Sequence, residues 1–388
     1  MHLLYNEPVY RVKLAKDISV STTTITKLVD ELIEQGIVEE RQEEVNWPRS
    51  VGRPQNAIYL VRDARQAIGV HIGGGIYRIA IVNLRNEIIS HRTGNFDLKQ
   101  PAESVMEEII HTTAQLLDEC KIGRETVIGV GVGAPGLVNF KTGLIGYAKI
   151  QGWRNLSVGA QFSDRLKLPV VVENNVRAMA LGEALFGSGR DVNTLLFLYG
   201  RLGVAAGIVV DRHIYRGINL GAGEIGHSFI IQGEEGVIGG YRTLEELVSA
   251  PALIAQARAA GTLQPDGILG LTLQDAVDDD AISKIFEAAR KDDPDAVRIV
   301  EQSARYLGMT VVNAVNFLNP ELILLGGMFA QGEDLYIPVI RKMVDEMAFA
   351  GMGNGVEIAS TRFGWRAGLL GASALALAHF FFLPPEVV

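Results

Sequence analysis

The spacing of apolar residues changes abruptly near the middle of the chain. Residues 169–172 form a short β-branched run, typical of a strand that is buried on both faces. Residues 176–186 instead place apolar and small side chains at helical intervals. Glu173, Asn174 and Asn175 separate the two segments, so they stand at the carboxyl end of a strand, where α/β sheets bind ligands. The alternative is that Asn174 or Asn175 only caps the helix.

A second polar stretch lies at residues 221–227, which read GAGEIGH. So many glycines favour neither a helix nor a strand, but they allow the backbone to approach a ligand closely. Glu224 and His227 would then be the hydrogen-bonding side chains. A lone histidine is more often structural, but its pairing with Glu224 in a glycine-rich loop favours a binding site.

The N-terminal pattern predicts two short helices and a strand pair. Apolar residues recur at helical intervals over 9–16, and Ser19 is a candidate cap for the next segment. Residues 21–35 form an amphipathic helix that stops at Gly36. Its apolar face comprises Ile25, Leu28, Val29, Leu32 and Ile33. Two strands within 37–60 complete a winged helix-turn-helix, which binds DNA.

Short hydroxyl groups crowd the start of this second helix, and arginines occupy the loop between the strands. Such side chains reach base edges and phosphates. The expected DNA contacts are Ser21, Thr22, Thr23, Thr24, Thr26, Lys27, Arg49 and Arg53. Arg53 lies between Gly52 and Pro54, in a rigid turn that suits insertion into a narrow minor groove. The alternative is that the threonines only make a good helix start.

The rest of the chain predicts two similar α/β lobes with a cleft between them. Apolar runs flank Gly73-Gly74-Gly75 as a hairpin, followed by a helix at 102–120 and a strand at 127–132, with Trp153 in a loop. The pattern repeats with strands at 195–199 and 206–210, helices at 244–260 and 295–318, and a strand at 321–325. The domains expected are 1–65 for DNA binding, 66–187 with the closing helix 367–388 as the first lobe, and 188–366 as the second.

Composition narrows the class of protein. A chain of 388 residues with 48% hydrophobic and 21% charged residues is long enough for two or three globular domains. The formal charge of −9 gives no overall attraction to nucleic acid, so DNA contacts require a local cluster. The single cysteine, Cys120, excludes internal disulfides and a cysteine-rich zinc site. The longest apolar stretch, 369–383, is interrupted by polar residues, so we expect a cytoplasmic protein.

The order of the short motifs resembles the ROK family, which groups repressors, open reading frames and sugar kinases. The motifs are GRP at 52–54, IGGG at 72–75, GVGAPGLVN from 131, GW at 152–153, ENN from 173, GAGEIGH from 221 and NPELILLGG from 319. This resemblance implies that the N-terminal winged helix-turn-helix is followed in the chain by a domain of two lobes. That domain would have the actin/hexokinase-like (ribonuclease H-like) fold.

Departures from the family pattern argue against sugar phosphorylation. The resemblance places the kinase's catalytic aspartate at Asn175 and the acid of its first phosphate loop at His71. The second phosphate loop, which carries a threonine in kinases, reads Arg201-Leu202-Gly203-Val204-Ala205. Phosphoryl transfer needs a proton acceptor and groups that hold the phosphates and their metal. We therefore expect no enzyme activity and no cofactor.

A sugar site is better preserved than the catalytic groups. The expected effector-binding residues are Lys149, Glu173, Asn174, Asn175, Glu224, His227 and Glu245, although Lys149 stands where the family carries a sugar-contacting asparagine. Family members carry three zinc cysteines at the positions of Gly236, Ile238 and Thr243, so we expect no metal here.

Together these features predict a DNA-binding repressor of carbohydrate metabolism, controlled by a sugar or sugar phosphate in a catalytically silent cleft. The expected active form is a homodimer or homotetramer on a palindromic operator. The alternatives are an ATP-dependent sugar kinase and a repressor controlled by a protein partner.

Overall fold

The amphipathic pattern near the N-terminus folds as three helices and a hairpin. A computed structural model of the chain describes residues 1–42, 56–232, 241–263, 267–273 and 278–383. The first elements are α1 (His2–Asn6), α2 (Arg11–Asp17), α3 (Thr22–Glu34) and the antiparallel strands β1 (Val38–Gln42) and β2 (Asn56–Leu60). Ser21, not Ser19, caps α3, since its hydroxyl accepts a hydrogen bond from the backbone N–H of Thr24 at 3.1 Å. Arg49 and Arg53, which we predicted to contact DNA, lie outside the described residues.

One arginine connects three elements of this N-terminal module. Arg11 of α2 pairs with Asp30 of α3 at 2.7 Å and with Glu40 of β1 at 2.6 Å. Its guanidinium also donates to the carbonyl of Thr26 at 3.1 Å. Because these partners come from a helix and a strand, they fix α3 relative to the hairpin.

A five-stranded sheet forms the first α/β half. Its elements are β3 (Gln66–Gly73), β4 (Ile76–Asn83), β5 (Ile88–Asn95), α4 (Ala102–Glu119), β6 (Val127–Ala134), α5 (Val158–Leu166), β10 (Val170–Asn174) and α6 (Asn175–Phe186). The strand order is β10-β6-β3-β4-β5, with β10, β6 and β3 parallel and the other pairs antiparallel. Every residue of β3 is buried, as expected for a central strand covered on both faces.

A small meander of three strands projects from this half. Its strands are β7 (Leu137–Asn139), β8 (Leu144–Ala148) and β9 (Trp153–Ser157). The prediction that Trp153 lies in a loop is therefore wrong. Its ring is buried and stacks beside Phe96 with the centroids 5.9 Å apart. A strand of five residues with two buried side chains is too short to show a clear period in the sequence.

The second half repeats the strand connections of the first. Its strands are β11 (Thr194–Gly200), β12 (Val204–Val210), β13 (His213–Ile214), β14 (Phe229–Gln232), β15 (Tyr241–Thr243), β16 (Leu322–Gly327) and β17 (Glu357–Ser360). The main sheet has the order β13-β12-β11-β16-β17. As in the first half, the first strand pairs antiparallel with the hairpin strand that follows and parallel with a later strand.

Helices cover the second sheet. They are α7 (Leu244–Val248), α8 (Ala250–Leu263), α9 (Ile268–Leu273), α10 (Asp278–Arg290), α11 (Pro294–Leu318), α12 (Met328–Gln331) and α13 (Glu333–Met347). The single helix predicted at 244–260 is two helices. The break falls at Ser249, whose backbone is extended, because Pro251 lacks an N–H and fits only in a helix's first turn.

The last helix, α14 (Ala367–Leu377), is buried along its whole length. It packs on α6, β3 and β6. Gly182 of α6 meets Gly371 of α14 so closely that a Cβ on Gly182 would lie 2.9 Å from the Cα of Gly371. Among the described residues, Gly364–Phe382 is the one helical stretch apolar enough to span a membrane, and 67% of it is buried inside the protein.

Candidate functional site

Strand β10 leads directly into helix α6, with Asn174 at the junction. Its side-chain oxygen accepts from the backbone N–H groups of Val176 at 2.9 Å and Arg177 at 3.2 Å. Its amide group donates to the carbonyl of Gly136 at 3.0 Å. The capping alternative therefore holds for Asn174, while Asn175 donates to the carbonyl of Ile72 at 3.2 Å. These bonds fix both amides at the edge where strands β6 and β3 end.

Glu173 does not line the cavity between the two halves, contrary to its predicted role. Its side chain is 1% exposed and lies between two arginines. One oxygen pairs with Arg177 Nε at 2.9 Å and the other with Arg216 Nε at 2.6 Å. Both carboxylate oxygens of Glu173 are bound by guanidinium groups. Glu173 therefore fixes the positions of Arg177 and Arg216 and has no oxygen left for a ligand.

Arg177 extends this network to the glycine-rich loop. Its Nη1 donates to the carbonyl of Leu220 at 2.8 Å. The loop then turns at Gly223, whose φ is +90° and where a Cβ would lie 2.0 Å from the carbonyl oxygen of Ala206. Only glycine allows this approach, which sets the position of Glu224.

The two polar stretches meet at a cavity of about 170 Å³ between the halves. Its lining includes six of the side chains that we predicted to bind an effector: Lys149, Asn174, Asn175, Glu224, His227 and Glu245. An apolar cavity of about 150 Å³ holds a benzene-sized ring. This cavity has room for one six-membered ring, and its polar side chains suit a ring that carries hydroxyl groups.

Glu224 is a carboxylate at this cavity without a hydrogen-bond partner in the described part of the chain. Burial raises the pKa of Glu224, with a further rise from Glu245, while Arg177 and His227 act in the opposite direction. A partly buried acid with a raised pKa in a cleft is a candidate for ligand binding. His227 is exposed at the rim.

Glu245 connects the meander to the second half. One of its oxygens accepts from Lys149 Nζ at 3.3 Å and the other from the backbone N–H of Val204 at 3.1 Å. Lys149 is largely exposed, so its contribution to stability is small. The lysine can therefore exchange Glu245 for a ligand hydroxyl at low cost.

His71 is neutral at physiological pH. Burial, followed by repulsion from Arg78 and Arg201, lowers its pKa to about 3. Its Nδ1 is buried and has no hydrogen-bond partner among the described residues. A neutral imidazole cannot replace the charge of the acid that the family resemblance places there.

A second cavity of about 790 Å³ adjoins the first and shares His71, Tyr199, Arg201 and Leu202 with it. Sequence reasoning did not assign several residues at these cavities to a binding site, among them Arg78, Gln151 and Arg201. Arg78 could have been identified from the sequence, because it is the one charged residue in the apolar strand β4. No sequence pattern marks Gln151 as a site residue.

Helix α3 exposes most of the predicted DNA contacts. Ser21, Thr22, Thr23, Thr24, Thr26 and Lys27 are all exposed. The hydroxyl of Thr26 donates to the carbonyl of Thr22 at 2.9 Å, and Ser21 is committed to the cap. Asp30, Glu31 and Glu34 follow on the same surface, so the first turns of α3 are the part suited to an anionic partner.

We find no cluster of three metal-ligating side chains in the described residues. Of the three positions where the family carries cysteines, Gly236 and Ile238 lie outside the described ranges. Thr243 forms a capping box with Glu246 at the start of α7.

The chain belongs to the ROK family, whose sequence model matches residues 67–379. A solved ROK transcriptional regulator, a homologue of the Escherichia coli MLC protein, superposes with a TM-score of 0.82 at 26% identity and covers 97% of this chain and 93% of its own. This similarity confirms the predicted two-lobed, actin/hexokinase-like fold of the ROK domain.

Curated relatives include both repressors and kinases. A putative xylose repressor of Caldicellulosiruptor sp. is 26% identical over 99% of this chain and 96% of its own length. A glucokinase of Halalkalibacterium halodurans is 29% identical over 80% of this chain and 94% of its own length.

The buried ion pairs of Glu173 generate the first prediction. Glu173→Gln leaves Arg177 and Arg216 without a compensating charge, which costs about 3–5 kcal/mol of folding free energy. Denaturant unfolding of the full chain measures this loss. The control is Glu119→Gln, which removes an exposed pair with Arg92 and costs at most about 1 kcal/mol. Equal stability of the two variants would contradict the structural role assigned to Glu173.

Proposed function

We propose that this protein is a sugar-responsive transcriptional repressor of the ROK family. A sugar or sugar phosphate binds in the cavity between the halves, and the N-terminal module binds DNA. One observation supports this proposal more than any other: helix α6 begins at the cavity and ends against the N-terminal module. Its 12 residues span about 18 Å.

Tyr5 provides the contact at the far end of α6. Its hydroxyl donates to the carbonyl of Leu185 at 2.9 Å. Its ring lies under the guanidinium of Arg212, in the turn between β12 and β13, at 5.1 Å. Helix α1 therefore contacts both halves of the ROK domain, and a change in their closure would move it. A ligand that favours one closure would shift DNA affinity.

The elements of the N-terminal module support the proposed winged helix-turn-helix. Helices α2 and α3 are joined by a short turn, and the paired strands β1 and β2 would belong to the wing. The family match begins at residue 67, whereas the similarity to the xylose repressor covers 99% of the chain. The similarity to the glucokinase covers only 80%. This difference supports a DNA-binding role for the first 65 residues.

We propose that the sugar cleft is catalytically silent. A kinase needs a carboxylate to accept the proton of the sugar hydroxyl. Asn175 is a neutral amide, and its side-chain nitrogen donates a hydrogen bond to the carbonyl of Ile72. Neutral His71 lacks the negative charge of the acid that helps to place the metal nucleotide in family kinases, and Arg201 occupies the loop where kinases carry a threonine. The three changes affect separate parts of one mechanism.

Repressors of this kind bind two half-sites as dimers. Phe317, Met347 and Phe349 expose 94%, 58% and 73% of their surfaces at one end of the second half. The backbone N–H of Phe349 donates to Asn316 at 2.8 Å, so α11 and the end of α13 form one apolar surface. Such a surface supports self-association, and we propose a homodimer on a palindromic operator in the cytoplasm.

The DNA-binding role is tested on fragments of the protein's own promoter region. We expect salt-sensitive binding of the full chain, and Lys27→Ala should weaken it and reduce the salt slope by about one. Lys291→Ala, a change at an exposed lysine of the second half, is the control and should bind normally. If the wild-type protein shows no salt-sensitive affinity for any such fragment, the proposed function is wrong.

The cavity generates a separate prediction about the effector. Removing the Glu224 carboxylate leaves a sugar hydroxyl without its acceptor, at a cost of about 1–3 kcal/mol. Glu224→Ala should therefore weaken sugar binding about tenfold or more while DNA affinity in the absence of sugar is unchanged. Glu346→Ala, at an exposed position on α13, is the matched control. A Glu224→Ala protein that still responds normally to its effector would remove Glu224 from the site.

A further inference from the structure

Two arginines approach each other where the two cavities join. Arg78 comes from strand β4 of the first half and Arg201 from the turn after β11 of the second. Both line the larger cavity, and Arg201 lines the smaller one as well. Neither forms an ion pair with a carboxylate within the described ranges, whereas Arg177 and Arg216 of the same site share Glu173.

Arg201 is held against the turn of the first hairpin. Its Nη1 lies 3.2 Å from the position that a Cβ on Gly74 would take. A side chain on Gly74 would therefore displace the guanidinium, and glycine also fits the φ of +57° there. The contact brings a positive group of the second half to the first, beside His71 and Arg78.

Few carboxylates of the described residues face these two arginines in the larger cavity. Its lining includes Arg78, Arg201 and one carboxylate, Glu333, which is exposed. Burial lowers the pKa of Arg78; Tyr199 acts in the opposite direction, and repulsion by Arg201 lowers the pKa further. Partly buried charges without partners are unfavourable, so the arrangement favours an anion between the two guanidinium groups.

We propose that Arg78 and Arg201 bind the phosphoryl group of a phosphorylated sugar whose ring occupies the smaller cavity. This inference rests on the proposed function and specifies its effector. Because Arg201 borders both cavities, an anion bound to it lies next to the ring position that Glu224 and Asn175 border. A phosphate monoester carries a charge of about −1.5 to −2 at pH 7, which matches two arginines better than the single charge of a sugar acid.

The position of the arginines favours a phosphorylated sugar over a nucleotide. A nucleotide would fill the larger cavity and leave the smaller one, with its hydroxyl-binding side chains, without a ligand. A phosphorylated sugar engages the guanidinium groups and these side chains at the same time.

Calorimetric titration of the full chain tests this proposal. The probes are xylose, glucose and N-acetylglucosamine, each free and as its terminal phosphate, with glucuronate, ADP and inorganic phosphate. We expect one phosphorylated sugar to bind at least about tenfold more tightly than its free form, since hydrogen bonds to charged groups are the strong ones. Arg201→Gln and Arg78→Gln should each remove this preference. The control is Arg124→Gln, an exposed arginine at the opposite end of strand β6.

Several outcomes would overturn the inference. One is equal binding of free and phosphorylated sugars, and another is tighter binding of ADP or glucuronate than of every phosphorylated sugar. A third is a phosphate preference that survives in both arginine variants.

DNA binding is measured in parallel with each probe. If a free sugar changes DNA affinity and phosphate adds nothing, the proposed function stands and this inference is wrong. If a phosphorylated sugar binds through the arginines without changing DNA affinity, the inference stands and the proposed function is wrong.

Discussion

The site depends on one buried carboxylate. Glu173 is the last side chain of the strand before Asn174, and its two oxygens hold Arg177 of helix α6 and Arg216 of the following half. Arg177 in turn fixes the loop that carries Glu224. Burying ion pairs this deeply is costly unless their charged atoms are close and well aligned. The Glu173–Arg216 pair joins the two halves, so it fixes their relative position at the cavity.

Helix α6 links this network to the rest of the molecule. Its first turn borders the cavity, its middle crosses α14 at Gly182, and its last turn meets Tyr5. The close crossing of two glycines leaves little freedom for α6 to bend. We propose that α6 transmits a displacement at the cavity to the N-terminal module.

The sequence predicted the elements whose period is long and clear. The helix at 295–318 is α11 with one residue more at its start, and the strand before Glu173 is present. The polar residues of the cavity were predicted because glycine and asparagine interrupt those patterns. The role of Glu173 could not be predicted, because its partner Arg216 lies 43 residues away and only the fold brings the two together. Arg78 and Arg201 meet for the same reason, from opposite halves.

We propose that sugar and DNA affinity are coupled through α6 and Tyr5. The most direct test measures DNA affinity with and without the effector, in the wild-type protein and in Tyr5→Ala. Allosteric coupling typically changes affinity by about 5–150-fold. We expect Tyr5→Ala to bind the effector and the DNA separately as the wild type does, while the ratio of DNA affinities with and without effector approaches one. A Tyr5→Ala protein with the full wild-type ratio would contradict this account.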